Sequence, residues 1–327
     1  MACVMSIGNT ELEETDTHKH LGLTIQSNCK WDSHINNLTQ KITLLVSCLK
    51  SYKYRLSRSS LTRIYKTFIL PHFDYCDIIY DNCTQNLSDK LEKLHLEAIR
   101  TIIGAVKGTS HEKLYSESGF TTLKERRNRH KLVMMHKIIH NNCPEYLNNL
   151  CPRLVADVNP YHRRRPMERQ VPKSNSKLHS DSFFPSTTKL YNDIPDDVKN
   201  NPSISSFKRY LSNNDKCIPI YFLHGTRTLS ICHTRLRLGI SNLNYDLFRR
   251  HLQENPDCEC GASAETAEHY LLHCPNYTGI RNTTILTLDP PSQNIQTLLH
   301  GSQDMSNAQN TLIFEKVQEF ISLSGRL

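Results

Sequence analysis

Three cysteines and one histidine lie close together near the C-terminal end of the sequence. Cys258 and Cys260 are separated by one residue, His269 follows after eight more, and Cys274 after a further four. Three thiolates and an imidazole form the ligand set of a tetrahedral structural zinc site, because zinc is a borderline-soft ion that accepts sulfur and nitrogen. Four protein ligands leave no open coordination position. The cluster therefore predicts a structural zinc ion (Zn) and no catalytic metal.

Two features of the cluster leave alternatives open. The Cys-x-Cys spacing is tighter than the usual Cys-x2-Cys, so the chain must bend sharply there, and Gly261 supplies the conformational freedom for the bend. His273 competes with His269 as the nitrogen ligand. The alternative to a metal site is a set of ordinary buried thiols in a reducing compartment.

Composition places the chain among intracellular proteins with more than one domain. It has 327 residues, of which 38% are hydrophobic and 22% charged, and it has 12 cysteines. The start, Met1-Ala-Cys-Val-Met-Ser, is not a signal peptide, and no apolar run approaches the length of a membrane span. We therefore expect free thiols plus a metal site in the nucleus or cytoplasm, with no membrane partner.

Positive charge is concentrated in one part of the chain. The formal net charge is +8, and residues 121–180 contain thirteen Lys or Arg against four acids. A concentrated basic stretch favours a polyanion such as RNA or DNA, although a solvated, solubilising charge run is the alternative. The candidate nucleic-acid contacts in this stretch are Lys124, Arg126, Arg127, Arg129, Arg163, Arg164 and Arg165.

A second basic group precedes the Cys/His cluster. Arg235, Arg237, Arg249 and Arg250 lie on the approach to it. Basic side chains beside a small zinc module are suited to contacts with a nucleic-acid backbone. The alternative is arginines that lay their aliphatic stems over a helix face.

Apolar periodicity predicts a mainly α protein with one short strand near the N-terminus. Leu21, Leu23 and Ile25 alternate as in a strand, whereas apolar residues recur three and four apart in most later segments. The predicted helices are 31–52, 60–70 ending at Pro71, 86–103, 122–141, 204–211, 233–252 and 312–323. The economical arrangement of the first four is a helical bundle.

Four prolines and many charges break the segment from 151 to 182, which predicts an extended basic linker. The predicted organisation therefore has four parts. They are residues 1–50 with the strand and first helix, 51–150 with the helical bundle, 151–182 with the linker, and 183–327 with a connector and a small helical region around the Cys/His cluster.

The sequences His20-Leu-Gly-Leu-Thr-Ile25 and Trp31-Asp-Ser-His-Ile35 follow each other near the N-terminus. They resemble the segment just beyond the catalytic palm in the reverse transcriptases of non-LTR (LINE, jockey-like) retrotransposons. Leu91-Glu-Lys-Leu-His-Leu-Glu-Ala-Ile-Arg100 resembles the thumb helix that follows. In these terms residues 1–50 are a palm edge and residues 51–150 are thumb-like.

The C-terminal half continues the resemblance. The segments that are similar to the family's connector are Ser182–Pro185, Leu190–Pro195 and Ser206–Arg209. Arg235-Leu-Arg-Leu-Gly239, Asn244, Leu247–Arg249, the Cys/His cluster and the ending Ser324-Gly-Arg326 resemble its C-terminal zinc-knuckle region. The resemblance implies binding of template RNA, target DNA or their hybrid, as part of an RNA-directed DNA polymerase.

One departure from the family decides what activity to expect. The Phe/Tyr-x-Asp-Asp hairpin, whose aspartates hold two Mg ions in the palm of such polymerases, does not occur in this sequence. We therefore expect a C-terminal piece that binds nucleic acid and does not polymerise alone. One alternative is the tail of an active enzyme whose palm lies outside this sequence. Another is a polymerase that acts through an unrecognised acid set, or after assembly with a catalytic partner such as the rest of a retroelement polymerase. The third is a non-functional element relic.

Overall fold

The computed structural model describes residues 6–8, 10–11, 14–158, 167–213 and 218–327, and these are mainly helical. The predicted fold class is confirmed. The helices are α1 (Asp32–Ser51), α2 (Arg58–Ile64), α3 (Leu70–Asp74), α4 (Gln85–Ile103), α5 (His111–Ser118), α6 (Leu123–Ile139), α7 (Glu145–Asn149), α8 (Val155–Val158), α9 (Lys177–Ser180), α10 (Phe183–Asn192), α11 (Asp196–Asn200), α12 (Ile204–Ser212), α13 (Arg227–Leu238), α14 (Asn244–Phe248), α15 (Thr278–Thr283), α16 (Ile295–His300) and α17 (Asn307–Ser324).

Two small antiparallel hairpins precede the helices. Strand β1 (Ser6–Ile7) pairs with β2 (Thr10–Glu11), and β3 (Thr17–His20) pairs with β4 (Leu23–Gln26). The predicted strand over 21–25 is right only from Leu23 onward. Leu21 (φ 45°) and Gly22 (φ 85°) form the two-residue turn between β3 and β4, and two consecutive positive φ values are typical of such a hairpin turn.

The sequence predicts that the second helix ends at Pro71, and this prediction is wrong. A π-helical turn, Tyr65–Ile69, follows α2 and leads directly into α3, so helical backbone continues to Asp74. The amide of Leu70 donates to the carbonyl of Tyr65, five residues back. Pro71 has no N–H to donate to a carbonyl in the preceding turn. In the π-turn the ordinary hydrogen bonds to the fourth residue back are replaced, so helical backbone continues through the proline.

The predicted single helix over 233–252 is wrong, because the helical backbone is interrupted within it. Helix α13 ends at Gly239, which has a left-handed φ of 65°, and helical backbone resumes only in α14. Asp246 stabilises the connection, because its carboxylate accepts hydrogen bonds from the backbone amide and the hydroxyl of Ser241. A glycine directly after a helix is the usual signal for its end. The prediction failed because apolar residues continue at helical spacing beyond Gly239.

The chain divides into two compact units, each built from three segments. The first unit takes its residues from 1–44, 71–94 and 123–214. Within it, α6 packs against α10 and α12, and Met135, Tyr191 and Phe207 are buried where these helices meet.

The second unit takes its residues from 45–70, 95–122 and 215–327. Its core is formed by side chains of α13, α16 and α17 together with Tyr270 and Leu271, which lie between His269 and Cys274. Phe314, Phe320, Tyr270 and Leu298 are fully buried there. The Cys/His cluster is therefore attached to a substantial apolar core.

The predicted four-part division remains a prediction. In the described part of the 151–182 segment, α8 and α9 are each one turn long, and an isolated antiparallel bridge joins Leu154 to Arg169. None of the helices among the described residues combines the length and apolar character that crossing a membrane requires.

Candidate metal centre

A tight turn carries the first two candidate ligands. The amide of Cys258 donates to the carbonyl of Ala262 at 2.8 Å, and the amide of Gly261 donates to the carbonyl of Cys258 at 2.9 Å. Gly261 has a φ of 94°, a conformation that side-chain-bearing residues rarely adopt. This turn lets two cysteines separated by one residue direct both sulfurs toward the same point, as the short spacing requires.

The other two candidate ligands lie at the two ends of a π-helical turn, His269–His273. The backbone amide of His269 donates to the Thr266 hydroxyl, and the amide of Cys274 donates to the carbonyl of His269 at 2.7 Å. Buried Arg281 donates to the carbonyls of Leu271 and Cys274, each at 2.8 Å. These contacts hold the backbone on both sides of the π-turn.

The four candidate ligand atoms form a compact group. Every pair among Cys258 Sγ, Cys260 Sγ, Cys274 Sγ and one His269 nitrogen lies within 4.8 Å. The Sγ atoms of Cys258 and Cys274 are 3.8 Å apart, and Cys260 Sγ is 3.2 Å from His269 Nε2. Two thiolates bound tetrahedrally to one zinc lie about 3.8 Å apart. The donor set and its spacing therefore fit one tetrahedral ion.

The geometry distinguishes the two histidines. His269 belongs to the compact group, whereas His273 is exposed to solvent and does not belong to it. The residues that would hold a structural zinc are therefore Cys258, Cys260, His269 and Cys274.

Burial shifts the pKa values of three of these ligands, and the shifts link metal binding to the release of protons. It raises the pKa of the Cys258 and Cys274 thiols and lowers the pKa of His269 below its usual 6.5. The imidazole is thus already in the neutral form that binds metal. The two buried thiols must lose their protons when an ion enters, so affinity for the ion should fall as the pH is lowered.

A polar network ties the cluster to the C-terminus of the chain. Arg326 donates to both carboxylate oxygens of buried Glu265, at 2.8 and 2.5 Å. Glu265 also accepts from the amide of Asn244 at 2.7 Å, and the Asn244 side-chain amide donates to the carbonyl of Asp257, next to Cys258. The network joins three segments that the sequence resemblance grouped together, and periodicity gave no sign of it.

The basic residues predicted on α6 differ in their surroundings. Lys124 is exposed. Arg126 donates to both oxygens of Asp74, and buried Arg127 pairs with Asp81 at 2.8 Å. No local sequence pattern indicates these acidic partners, which come from distant positions in the chain. Lys131, which sequence reasoning did not select, is also buried and paired with Asp81.

The basic residues predicted near the Cys/His cluster also differ. The Arg237 side chain is only 1% exposed and pairs with Glu117, and Arg235 donates to the carbonyl of Gly104. Arg250 donates to the carbonyls of Asp246 and Ser241, whereas Arg249 is exposed. Arg163, Arg164 and Arg165 lie outside the described residues.

A second group with metal-ligand chemistry lies in the first unit. Ligand atoms of Asp74, Asp77 and His130 lie within 4.8 Å of one another. Both carboxylates already have cationic or hydrogen-bonding partners, since Arg126 pairs with Asp74 and His130 lies 2.6 Å from Asp77. This arrangement fits an ion-pair network.

One comparison with known proteins bears on the family resemblance. A stretch of 98 residues, 29% of this chain, is 33% identical to the "Retrovirus-related Pol polyprotein from type-1 retrotransposable element R1" of Bradysia coprophila. The match covers 9% of that protein, so the chain corresponds to a small part of its length. No protein-family model and no solved structure matches the chain. The similarity supports a retrotransposon origin.

Proposed function

We propose that the chain is a nucleic-acid-binding part of a non-LTR retrotransposon reverse transcriptase that grips template RNA or target DNA and does not polymerise alone. The observation that carries this proposal is the compact Cys/His group in a chain similar to a retrotransposon Pol polyprotein. Small zinc modules with basic surroundings are suited to holding a nucleic-acid backbone.

In this proposal the zinc ion has a structural role. Cys258, Cys260, His269 and Cys274 would hold it, and the ion would stabilise the turn and the π-helical segment against the core of the second unit. Among the predicted basic residues that the structure describes, Lys124 and Arg249 are exposed and could meet phosphates. Buried Arg127 and Arg237 would instead support the fold through their ion pairs.

The test is a binding titration with purified zinc-loaded protein and fluorescein-labelled RNA and DNA, followed by fluorescence anisotropy. We expect saturable binding with Kd on the order of 10⁻⁶ M or tighter at low salt. A parallel primer-extension assay with Mg²⁺ and nucleotides should yield no product. Absence of binding would contradict the proposal, and extension by the chain alone would favour the enzyme alternative.

A further inference from the structure

Two cavities in the first unit share a wall. The first has a volume of about 370 Å³ and the second about 760 Å³. Ile78 and Met134 line both. We call the first the apolar chamber and the second the basic chamber.

The apolar chamber has the lining of a site for a flat ring. Ile79, Leu147, Phe183 and Phe184 contribute to its surface. The two phenylalanine rings lie 5.2 Å apart at 75° to each other. Aromatic side chains of this kind take nucleobases by stacking, which is tolerant of base identity.

Polar groups of the apolar chamber could meet the edge of such a ring. Asn82 and Asp181 line it beside the apolar residues, and so does the buried ion pair of Lys131 and Asp81. A mostly apolar cavity with a few polar groups is the usual composition of a small-ligand site. A nucleobase, which has apolar faces and a polar edge, matches this composition.

The basic chamber is suited to an anion. Lys137 from α6 and both Lys208 and Arg209 from α12 line it. Lys208 and Arg209 are exposed, and within the described part of the chain none of the three forms an ion pair.

Two acids also line the basic chamber, but each has its own partner. Asp74 is bound by Arg126, and Asp77 lies against His130. The positive charges of Lys137, Lys208 and Arg209 therefore remain in excess. Clustered positive charge at a concave surface attracts phosphate groups.

We propose that the two chambers together bind one nucleotide of a single-stranded nucleic acid, with its phosphate in the basic chamber and its base in the apolar chamber. This proposal rests on the proposed function and deepens it by naming the strand state. The shared wall of Ile78 and Met134 places the two chambers side by side, as phosphate and base are in a nucleotide. A base already paired and stacked in a duplex is not available to enter the apolar chamber.

The test compares a labelled single-stranded oligonucleotide with the duplex of the same sequence, using the full chain. The double variant Lys208→Ala/Arg209→Ala should bind the single strand about tenfold more weakly. Its log–log salt slope should become shallower by up to about 0.7, the contribution of one phosphate contact on a single strand. Ile79→Glu, at a position 48% exposed, should weaken single-strand binding by about tenfold and change duplex binding less than about twofold.

The matched control is Lys177→Ala/Lys189→Ala, which removes two exposed charges that line neither chamber. This control should weaken single-strand binding clearly less than the double variant Lys208→Ala/Arg209→Ala does. Circular dichroism of each variant confirms folding. Photocrosslinking of a 5-iodouracil-containing single strand should label the peptide that contains Phe183 and Phe184.

The outcomes separate the two proposals. If the wild-type chain binds with a steep salt dependence but the Lys208/Arg209 variant equals the control, the chamber assignment is wrong and the proposed function stands. The chamber assignment is also overturned if Ile79→Glu weakens single-strand and duplex binding equally, or if the crosslinks are confined to peptides without Phe183 and Phe184. If the wild-type chain binds no nucleic acid, both proposals fail.

Discussion

Arg326 and Glu265, which are 61 positions apart in the chain, form a two-oxygen ion pair beside the Cys/His cluster. The Glu265 side chain is 3% exposed and that of Arg326 is 24% exposed. The pair joins the last residues of the chain to the segment between Cys260 and His269. The ion pair therefore connects the segment that carries the candidate metal ligands to the last residues of the sequence.

Glu265→Gln should weaken this connection. Removal of one partner from a largely buried ion pair leaves Arg326 without a full counter-charge, so we expect a loss of about 2–4 kcal/mol in the free energy of unfolding. Chemical unfolding followed by circular dichroism measures it. Glu268→Gln, an exposed change on the same segment, should stay within about 0.5 kcal/mol. Equal stability of both variants would show that the ion pair contributes little.

The ligand assignment makes a direct prediction about metal content. The wild-type chain should carry one zinc, and Cys258→Ser or His269→Ala should lose it and unfold the local turn, because metal binding and folding are coupled in small zinc modules. Mass spectrometry of metal content after dialysis measures this. The control variant His273→Ala should keep one zinc per chain. Retention of zinc by both Cys258→Ser and His269→Ala would refute the assignment.

A buried ion pair in the second unit predicts a large effect from one carboxylate. Glu117 accepts from Arg237 and from Thr234, and burial lowers the pKa of nearby Arg58 to about 9 despite the attraction of Glu117. Glu117→Gln removes the negative charge that faces Arg58 and Arg237.

We expect that loss to cost about 3–5 kcal/mol in the free energy of unfolding. Urea unfolding of Glu117→Gln measures it. Glu112→Gln, an exposed change on the same helix α5, is the matched control and should leave the urea midpoint almost unchanged. A similar midpoint for the two variants would contradict the prediction.

The sequence predicted the helices well where one apolar face is buried over many residues. The apolar pattern predicts a helix over 31–52, and α1 spans Asp32–Ser51, with Ile35, Ile42 and Leu49 buried. Helix α17 was expected to begin at residue 312, but it begins at Asn307. Its Ser306–Gln309 capping box lies outside the apolar pattern.

Tertiary contacts were harder to predict than the Cys/His cluster. Closely spaced ligands can be recognised from local spacing, so the cluster was visible in the sequence. The partners of Arg127 and Arg237 were not, because Asp81 and Glu117 are 46 and 120 positions away. A count of basic residues cannot distinguish a buried ion pair from a free surface charge.

Acid should destabilise the first unit through His136. Its ring is fully buried, stacks on Phe207 at 4.0 Å and lies 4.3 Å from the His140 ring. Burial lowers the pKa of His136 to about 4, below the usual 6.5. Between these values the unfolded chain binds a proton that the folded chain does not. Stability therefore falls as the pH drops from about 6.5 to about 4.

The loss attributable to His136 should be on the order of 3 kcal/mol, since each pH unit between the two pKa values contributes about 1.4 kcal/mol. Urea unfolding at several pH values measures it. His136→Phe, which cannot titrate, should show a shallower decline with acid than the wild-type chain. His18→Asn, at an exposed position in β3, should retain the wild-type slope. Parallel curves for wild type and His136→Phe would contradict the prediction.

If this chain binds nucleic acid through phosphate contacts, binding must weaken as salt is added. Anisotropy titrations of the zinc-loaded chain with labelled RNA, from low to high salt, should give a linear fall of log K with log salt. Several phosphate contacts on a single strand predict a slope of about −2 or steeper. Absence of binding, or an affinity that stays unchanged across the salt range, would show that the chain does not bind nucleic acid in this way.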